Sequence, residues 1–363
     1  MKSIVLAAGG TGGHLFPAQA LAEELARRGY AIHLMTDERV RDYGKGFPAQ
    51  ATHIVPSATI TPGKPLRLPG QLMQLYRGYS LAHKILKEVE PAAVIGFGGY
   101  PSFPPILAAS KLKIPSCVHD ANAVMGRANR MLSSVVTAVA SSFPTLLGLP
   151  AKAQGKLVIT GNPVRDIALL EKAAPYPDFR QFNLLVFGGS QGARFFGEFM
   201  PKVMAELSPA LLANLHLTQQ VRPEDMDAVR SAYSKLNFSF DLQAFFMDMP
   251  KRIAASHLVV CRSGASTIAE LGVIGRPAIM VPLPHALDND QLRNAESFAA
   301  AGAGWIRSQA QLEHKELAAF LTRLRGEENE LKRAAHAALG HGRPDAAARL
   351  ADLTEKLAGK TKT

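Results

Sequence analysis

Short runs of apolar, β-branched residues alternate along this chain with longer stretches of helical periodicity. Ser3–Ala8 (SIVLAA) predicts a buried parallel strand, and Pro17–Arg28 predicts an amphipathic helix. Ala31–Met35, Ala93–Phe97 and Ser116–His119 predict further strands. The pattern then restarts. Asn183–Phe187 (NLLVF) predicts a strand, followed by the glycine loop Gly188–Gly192 and a helix from Ala193. His257–Cys261 predicts another strand, with a helix from Ala265 to Gly272, and Ala278–Pro282 a third. The fold class is therefore α/β, with two doubly wound parallel-sheet domains of similar size rather than one large sheet. The Gly161-Asn162-Pro163 turn marks the expected junction. This gives domains at 1–162 and 163–343, and an alanine-rich helical tail at 344–363 expected to pack back on the first domain. Open parallel sheets bind ligands at the carboxyl ends of their strands, so the chemistry is expected in the loops after them, with both sets of strand ends lining one cleft.

Composition narrows the class. The chain has 363 residues, 47% hydrophobic and 20% charged, which are globular values. Cys117 and Cys261 each lie in an apolar run and read as reduced core thiols, with no zinc-like or disulfide spacing. The N-terminus MKSIVLAAGG lacks a signal-peptide layout, so a cytoplasmic protein is expected. The longest uncharged stretch, Pro91–Ser110, is too broken by glycine and proline to span a membrane. The net charge of +11 is uneven: residues 1–165 carry +10 and residues 166–363 carry +1. One half is thus expected to face something anionic, a phospholipid surface or nucleic acid. Nucleic-acid modules interleave basic residues with exposed aromatics. Aromatics are 7% here and mostly sit in strands, so no nucleic-acid partner is expected.

Four motifs carry chemistry. Gly9-Gly10-Thr11-Gly12-Gly13-His14 lets the backbone turn sharply, and the helix after it aims N–H groups at an anion. It lacks the P-loop lysine, and it places His14 in the first helical turn. Phe187-Gly188-Gly189-Ser190-Gln191-Gly192-Ala193 repeats this physics and can hold a diphosphate without a metal, with Arg165 as a compensating cation. Cys261-Arg262-Ser263-Gly264-Ala265-Ser266-Thr267-Ile268-Ala269-Glu270 ends a strand and sets Glu270 one to two turns into a helix, where a carboxylate can take ribose hydroxyls or simply face solvent. Pro284–Gln291 is dense in hydrogen-bonding groups suited to sugar hydroxyls. Within it, Asp288-Asn289-Asp290 is similar to a DxD metal motif, but the glycine loops already supply metal-free phosphate binding.

Together and in this order, GGTGGHLFPA, GFGGYPSFP, GNPVR, FGGSQGA, CRSGASTIAE and RNA at Arg293–Ala295 closely resemble the MurG-like family over nearly the whole chain. These are UDP-N-acetylglucosamine transferases that convert lipid I to lipid II. The resemblance implies the GT-B fold, two Rossmann-like domains facing across a cleft. The donor UDP-GlcNAc is bound mainly by the second domain and the lipid-linked acceptor by the first, with no cofactor. It places Ser190 and Gln191 at the donor phosphates, with Arg165 near. The loops Thr11-Gly12-Gly13 and Ser263-Gly264-Ala265-Ser266 join the donor site. Glu270 takes the ribose, Phe246 offers backbone groups to uracil beside Met249, and Asp290, Gln291 and Asn122 read the sugar. His14, Tyr100, His119 and Asn122 surround the acceptor. The chain departs from the family pattern at His119-Asp120-Ala121-Asn122 and at Asp290.

The implied reaction is an inverting displacement, which needs a general base near the acceptor hydroxyl; His14 is the expected base and Asp120 the alternative. His14 and Asn122 are the catalytic candidates. A helical face of Leu72, Leu75, Tyr76, Tyr79 and Leu86, with Lys64, Arg67, Arg77, Lys84 and Lys87 around it, is expected either to dock on the anionic cytoplasmic face of the inner membrane or to be an ordinary core helix. Two rival readings are a different GT-B protein, such as a UDP-GlcNAc 2-epimerase, and a nucleotide-binding regulator.

Overall fold

The computed structural model describes residues 1–9, 11–40, 46–59, 68–189, 194–284 and 289–359. Two compact units form, one of Met1–Asp166 with Pro344–Thr363 and one of Ile167–Arg343. The first therefore extends to Asp166 rather than stopping at Asn162. The reason is local: the Asp166 backbone N–H donates to Glu23 at 3.0 Å, and Arg27 donates to its carboxylate.

The strands of the first unit are β1 (Ser3–Ala7), β2 (Ala31–Thr36), β3 (Ala51–Ile54), β4 (Ala93–Gly96), β5 (Ser116–Asp120), β6 (Ala138–Ser141) and β7 (Leu157–Ile159). They pair in parallel in the order β3-β2-β1-β4-β5-β6-β7. The helices described are α1 (Gly12–Arg27), α2 (Leu68–Val89), α3 (Phe103–Lys111) and α4 (Arg127–Leu132), and from the chain's end α14 (Ala346–Ala358). Helices α1 and α14 cover one face, where Leu15, Leu21, Leu350 and Leu357 pack on Ile4, Leu6 and Ile95. The others cover the opposite face, where Ala82, Leu86, Ile106 and Leu132 meet Val5, Val94 and Val118. Such strands, buried on both faces, read as continuous apolar runs.

Helix α1 starts at Gly12, earlier than the sequence pattern indicates, and Pro17 lies inside it. Near the open end of a helix, proline forfeits one backbone bond, so the glycine loop feeds directly into helix. Helix α2 has 22 residues, a length of about 33 Å, and outruns the short strands beneath it. Its C-terminal half is core, with Ala82, Ile85 and Leu86 buried. Its N-terminal half exposes Leu72 (51%), Met73 (54%) and Tyr76 (66%). The expected stripe therefore divides: Leu86 is buried, Leu75 and Tyr79 are half-buried, and Leu72 and Tyr76 face outward.

The second unit repeats the plan. Its strands are β8 (Phe182–Phe187), β9 (Leu215–Gln220), β10 (Ser239–Gln243), β11 (Leu258–Cys261), β12 (Ala278–Met280) and β13 (Gly304–Ile306), all parallel in the order β10-β9-β8-β11-β12-β13. After α5 (Asp166–Leu169), its helices are α6 (Arg194–Ala205), α7 (Pro209–Ala213), α8 (Met226–Tyr233), α9 (Met249–Ala255), α10 (Ala265–Ile274), α11 (Asp290–Ala300), α12 (His314–Gly326) and α13 (Glu328–His341). In both sheets the order reverses beside the first strand, between β1 and β4 and between β8 and β11. Loops leaving these paired strands flank a crevice where open α/β sheets bind ligands.

Candidate active site

In the first unit the two loops at the reversal come together on His14. The N–H groups of His14 and Leu15 donate to the Thr11 carbonyl at 3.0 and 2.9 Å, closing the first turn of α1. The imidazole folds back over the loop, its Nδ1 3.1 Å from Thr11 Oγ1. A Cβ at Gly9 would lie 3.3 Å from His14 Nδ1, one at Gly98 3.3 Å from Cδ2, and one at Gly99 3.4 Å from Cε1. Three glycines from two loops thus make the wall against which the ring lies, and Gly98 and Gly99 hold positive φ of 86° and 71°. This revises the reading of the first motif. Gly9 makes room for His14, and Gly12 makes room for Phe16, whose ring would sit 2.9 Å from an added Cβ. Gly13 alone of the described loop glycines faces open space; Gly10 lies outside the described residues.

The His14 pKa is lowered to about 4. Burial is the main cause, Arg39 adds to it, and Asp37 opposes it. The ring is neutral at pH 7; in the tautomer whose Nδ1–H donates to Thr11 Oγ1, Nε2 is bare and able to accept a proton.

His119 closes β5 fully buried, packed against the Phe97 ring at 5.5 Å. Its Nε2–H donates to the Gly161 carbonyl at 3.0 Å, which leaves Nδ1 as a buried acceptor with no partner among the described residues. Burial lowers its pKa to about 4. The loop after it is locked by Asp120, whose carboxylate accepts from the N–H groups of Asn122 (3.2 Å) and Gly126 (2.8 Å) and from the Asn129 amide (3.0 Å). A carboxylate engaged in this way is an anchor for Asn122 and a poor candidate for a base. Asn129, which no sequence pattern singles out, also donates to the His119 carbonyl. Tyr100 begins a 3-10 turn directly after Gly99. Arg165 belongs to this unit, its guanidinium 3.8 Å above the Phe16 ring of α1.

In the second unit Phe187 pairs with Cys261, so Gly188-Gly189 and Arg262-Ser263-Gly264 leave the sheet side by side. Ser190 and Gln191 lie outside the described residues. Gly264 caps α10, and Ala265 opens it. The Ser266 hydroxyl, one residue on, is buried without a partner among the described residues. Glu270 lies in the second turn, half-buried. Ser263 differs from a free ligand-binding hydroxyl: its Oγ donates to the Gln291 carbonyl at 2.7 Å, and its own carbonyl accepts from Asn294 at 3.1 Å. Gln291 Oε1 accepts from Leu283 N–H at 3.0 Å, which leaves the side-chain amine, and Asp290 accepts from Gln291 N–H at the start of α11. Asp288 lies outside the described residues, and no group of three or more possible metal-ligating side chains forms among those described. The Phe246 ring is buried under the Arg252 guanidinium at 4.2 Å, so this residue presents backbone rather than side chain; Met249 opens α9 beside it.

Residues 4–141 match the Glycosyltransferase family 28 N-terminal domain, and residues 183–350 match the Glycosyltransferase family 28 C-terminal domain. The chain is 47% identical over 360 residues, 98% of its length and 96% of the relative's, to the UDP-N-acetylglucosamine--N-acetylmuramyl-(pentapeptide) pyrophosphoryl-undecaprenol N-acetylglucosamine transferase of Rhizobium johnstonii. It is 49% identical to the Sinorhizobium fredii protein of the same name, covering 98% of this chain and 95% of that one. Among solved structures it is similar to Acinetobacter baumannii MurG, with a TM-score of 0.78 and 28% identity over 98% of this chain and 100% of the other. With both halves matched and full-length identity near one residue in two, the chain belongs to glycosyltransferase family 28, among its UDP-N-acetylglucosamine–N-acetylmuramyl-(pentapeptide) pyrophosphoryl-undecaprenol N-acetylglucosamine transferases.

Proposed function

We propose that this chain transfers N-acetylglucosamine from UDP-N-acetylglucosamine to the C4 hydroxyl of the N-acetylmuramic acid of lipid I, giving lipid II. The observation that carries this reading is the 47% identity over both domains to relatives of that name. The hydroxyl oxygen attacks the anomeric carbon, the bond to the UDP oxygen breaks on the opposite face, and the configuration inverts. His14 takes the hydroxyl proton on Nε2, with Thr11 holding Nδ1. Asn122, anchored through Asp120, and Tyr100 orient the sugars, while the ring of His119, expected at the acceptor, is buried in the first unit instead.

In the second unit the departing diphosphate is stabilised by backbone N–H groups at the glycine loop with Ser190 and Gln191, and by the start of α10 at Gly264–Ser266. Glu270 takes the ribose, Phe246 and Met249 frame the uracil, and Asp290 and Gln291 read the N-acetylglucosamine hydroxyls. Transfer is metal-independent in this reading. The test is transfer of radiolabelled N-acetylglucosamine to a short-chain lipid I analogue, with and without EDTA. Loss of transfer with EDTA and its return with Mg²⁺ or Mn²⁺ would reject the metal-free route.

The lipid acceptor sits in a membrane, and among the described residues no helix is long and apolar enough to cross one. A peripheral seat on the cytoplasmic face of the inner membrane is supported by the outer end of α2. Leu72, Met73 and Tyr76 are exposed there, and the neighbouring α3 and α4 add exposed Leu107 and Met131. Exposed Arg77, Lys84, Lys87, Arg127 and Arg130 surround them. Apolar side chains rimmed by cations match an anionic bilayer surface.

A further inference from the structure

Arg262 reaches sideways across the carboxyl edge of the second sheet. From the end of β11 its NH1 donates to the carbonyls of Val281 (2.9 Å) and Pro282 (3.1 Å), just beyond β12. Its NH2 donates at 2.6 Å to Oε1 of Gln309, just beyond β13. The guanidinium carbon lies 5.4 and 5.3 Å from the ring centroids of Phe195 and Phe196, in the first turn of α6, the helix that follows the second glycine loop. One side chain therefore ties the strand ends to the loop leading into the sugar-reading segment.

All three acceptors are neutral. The guanidinium is buried, and its Nε–H has no acceptor among the described residues. A buried arginine ordinarily draws in a carboxylate, because an uncompensated charge in a low-dielectric setting is costly. Among the described residues the titratable group that acts on it is the Cys261 thiol, which burial keeps protonated. The residue at 309 has the length and the acceptor oxygen of a glutamate without its charge.

We propose that Gln309 is a positioning residue for the donor: its neutral carboxamide holds Arg262 in place while leaving the guanidinium charge uncancelled for the diphosphate of a nucleotide sugar at the second glycine loop. This rests on the donor reading above. The pairing of Cys261 with Phe187 puts only the Arg262 backbone beside Gly188; it is the guanidinium's approach to Phe195 and Phe196, in the helix that follows that loop, that brings its charge within the range at which it acts through a partly buried region.

The test is calorimetric binding of UDP and of uridine to the wild-type chain, Gln309→Glu and Gln309→Met, with thermal midpoints measured in parallel. Gln309→Glu keeps the hydrogen bond and cancels the charge. It is expected to weaken UDP roughly tenfold and uridine less than about twofold, with a midpoint at or above wild type. Gln309→Met removes the acceptor and keeps the charge, and is expected to weaken UDP by only about threefold with uridine unchanged. UDP affinity within about twofold of wild type in Gln309→Glu would overturn the proposal, as would equal losses for UDP and uridine in either variant. Should Gln309→Glu fail to fold, Gln309→Met decides by the same comparison. A wild-type chain that binds neither ligand would instead overturn the donor reading itself.

Discussion

Asn129 donates its side-chain amide to Asp120 Oδ2 at 3.0 Å, and the same amide donates to the His119 carbonyl. The two residues hold the loop that presents Asn122 between β5 and α4, and they make Asp120 an acceptor with its geometry fixed. Asp120→Asn places an amide against the N–H groups of Asn122 or Gly126. It is expected to cost about 1–3 kcal/mol of stability and to lower kcat while leaving the shape of the pH–rate profile unchanged. Urea denaturation and the profile check this; loss of the acidic limb in Asp120→Asn would return Asp120 to candidacy as the base.

His14→Ala is expected to lower kcat by about 10²–10⁴-fold with a much smaller change in donor KM, because a base acts only in the transition state. His14→Gln can hydrogen-bond but cannot take a proton, and should be equally impaired. Near-wild-type kcat in His14→Gln, with an intact circular dichroism spectrum, would reassign the base.

Stability in acid follows from the same ring. His14 and His119 each have a pKa of about 4 in the fold, below their ordinary 6.5. Between these values the unfolded chain binds more protons than the native one. The contribution is therefore fully present above about pH 6.5 and declines as pH falls towards 4, by up to about 3 kcal/mol for each histidine. Denaturation midpoints from pH 8 to 4 should show this slope, and His119→Gln should flatten it.

Gly98→Ala forces a side chain into positive φ and places its Cβ 3.3 Å from His14 and 3.4 Å from Asn129. A loss of about 1–3 kcal/mol is expected, together with a fall in kcat larger than the loss of folded protein accounts for. Equal losses of activity and folded fraction would mean the wall is structural only.

Sedimentation with anionic liposomes is expected to pellet the protein and to weaken with salt, since exposed charges are screened beyond about 10 Å at 0.1 M. Leu72→Ser with Tyr76→Ser should reduce pelleting without changing the thermal midpoint, both side chains being exposed. Equal binding to neutral vesicles would leave the apolar end of α2 as the sole attachment.

The strands that flank each sheet reversal were legible in the sequence because they are buried on both faces and run into glycine-containing loops. Strands β7 (Leu157–Ile159) and β13 (Gly304–Ile306) were not, since three residues are too short a run to tell a strand from a loop. His14 stood out from its glycine neighbours, but what those glycines do was hidden, because the ring they accommodate is packed through a loop more than eighty residues away. Asn129 and Gln309 gave no local signal; their partners are set by strand order. Composition did show the basic first half, yet the helical period of α2 could not say where burial stops along it.

The last helix, α14, completes the first unit, with Leu350, Ala351, Leu357 and Ala358 in its core and Arg28, directly after α1, donating to Asp352 and Glu355. A ribosome therefore finishes the whole second unit before it releases the residues that seal the first. Until then one face of the first sheet has α1 alone over it, and the nascent chain carries an open apolar surface through much of its synthesis. A chain stopped at Asp166 would keep that surface for good, so the smallest self-sufficient form of the first unit is one in which Pro344–Thr363 is rejoined to it.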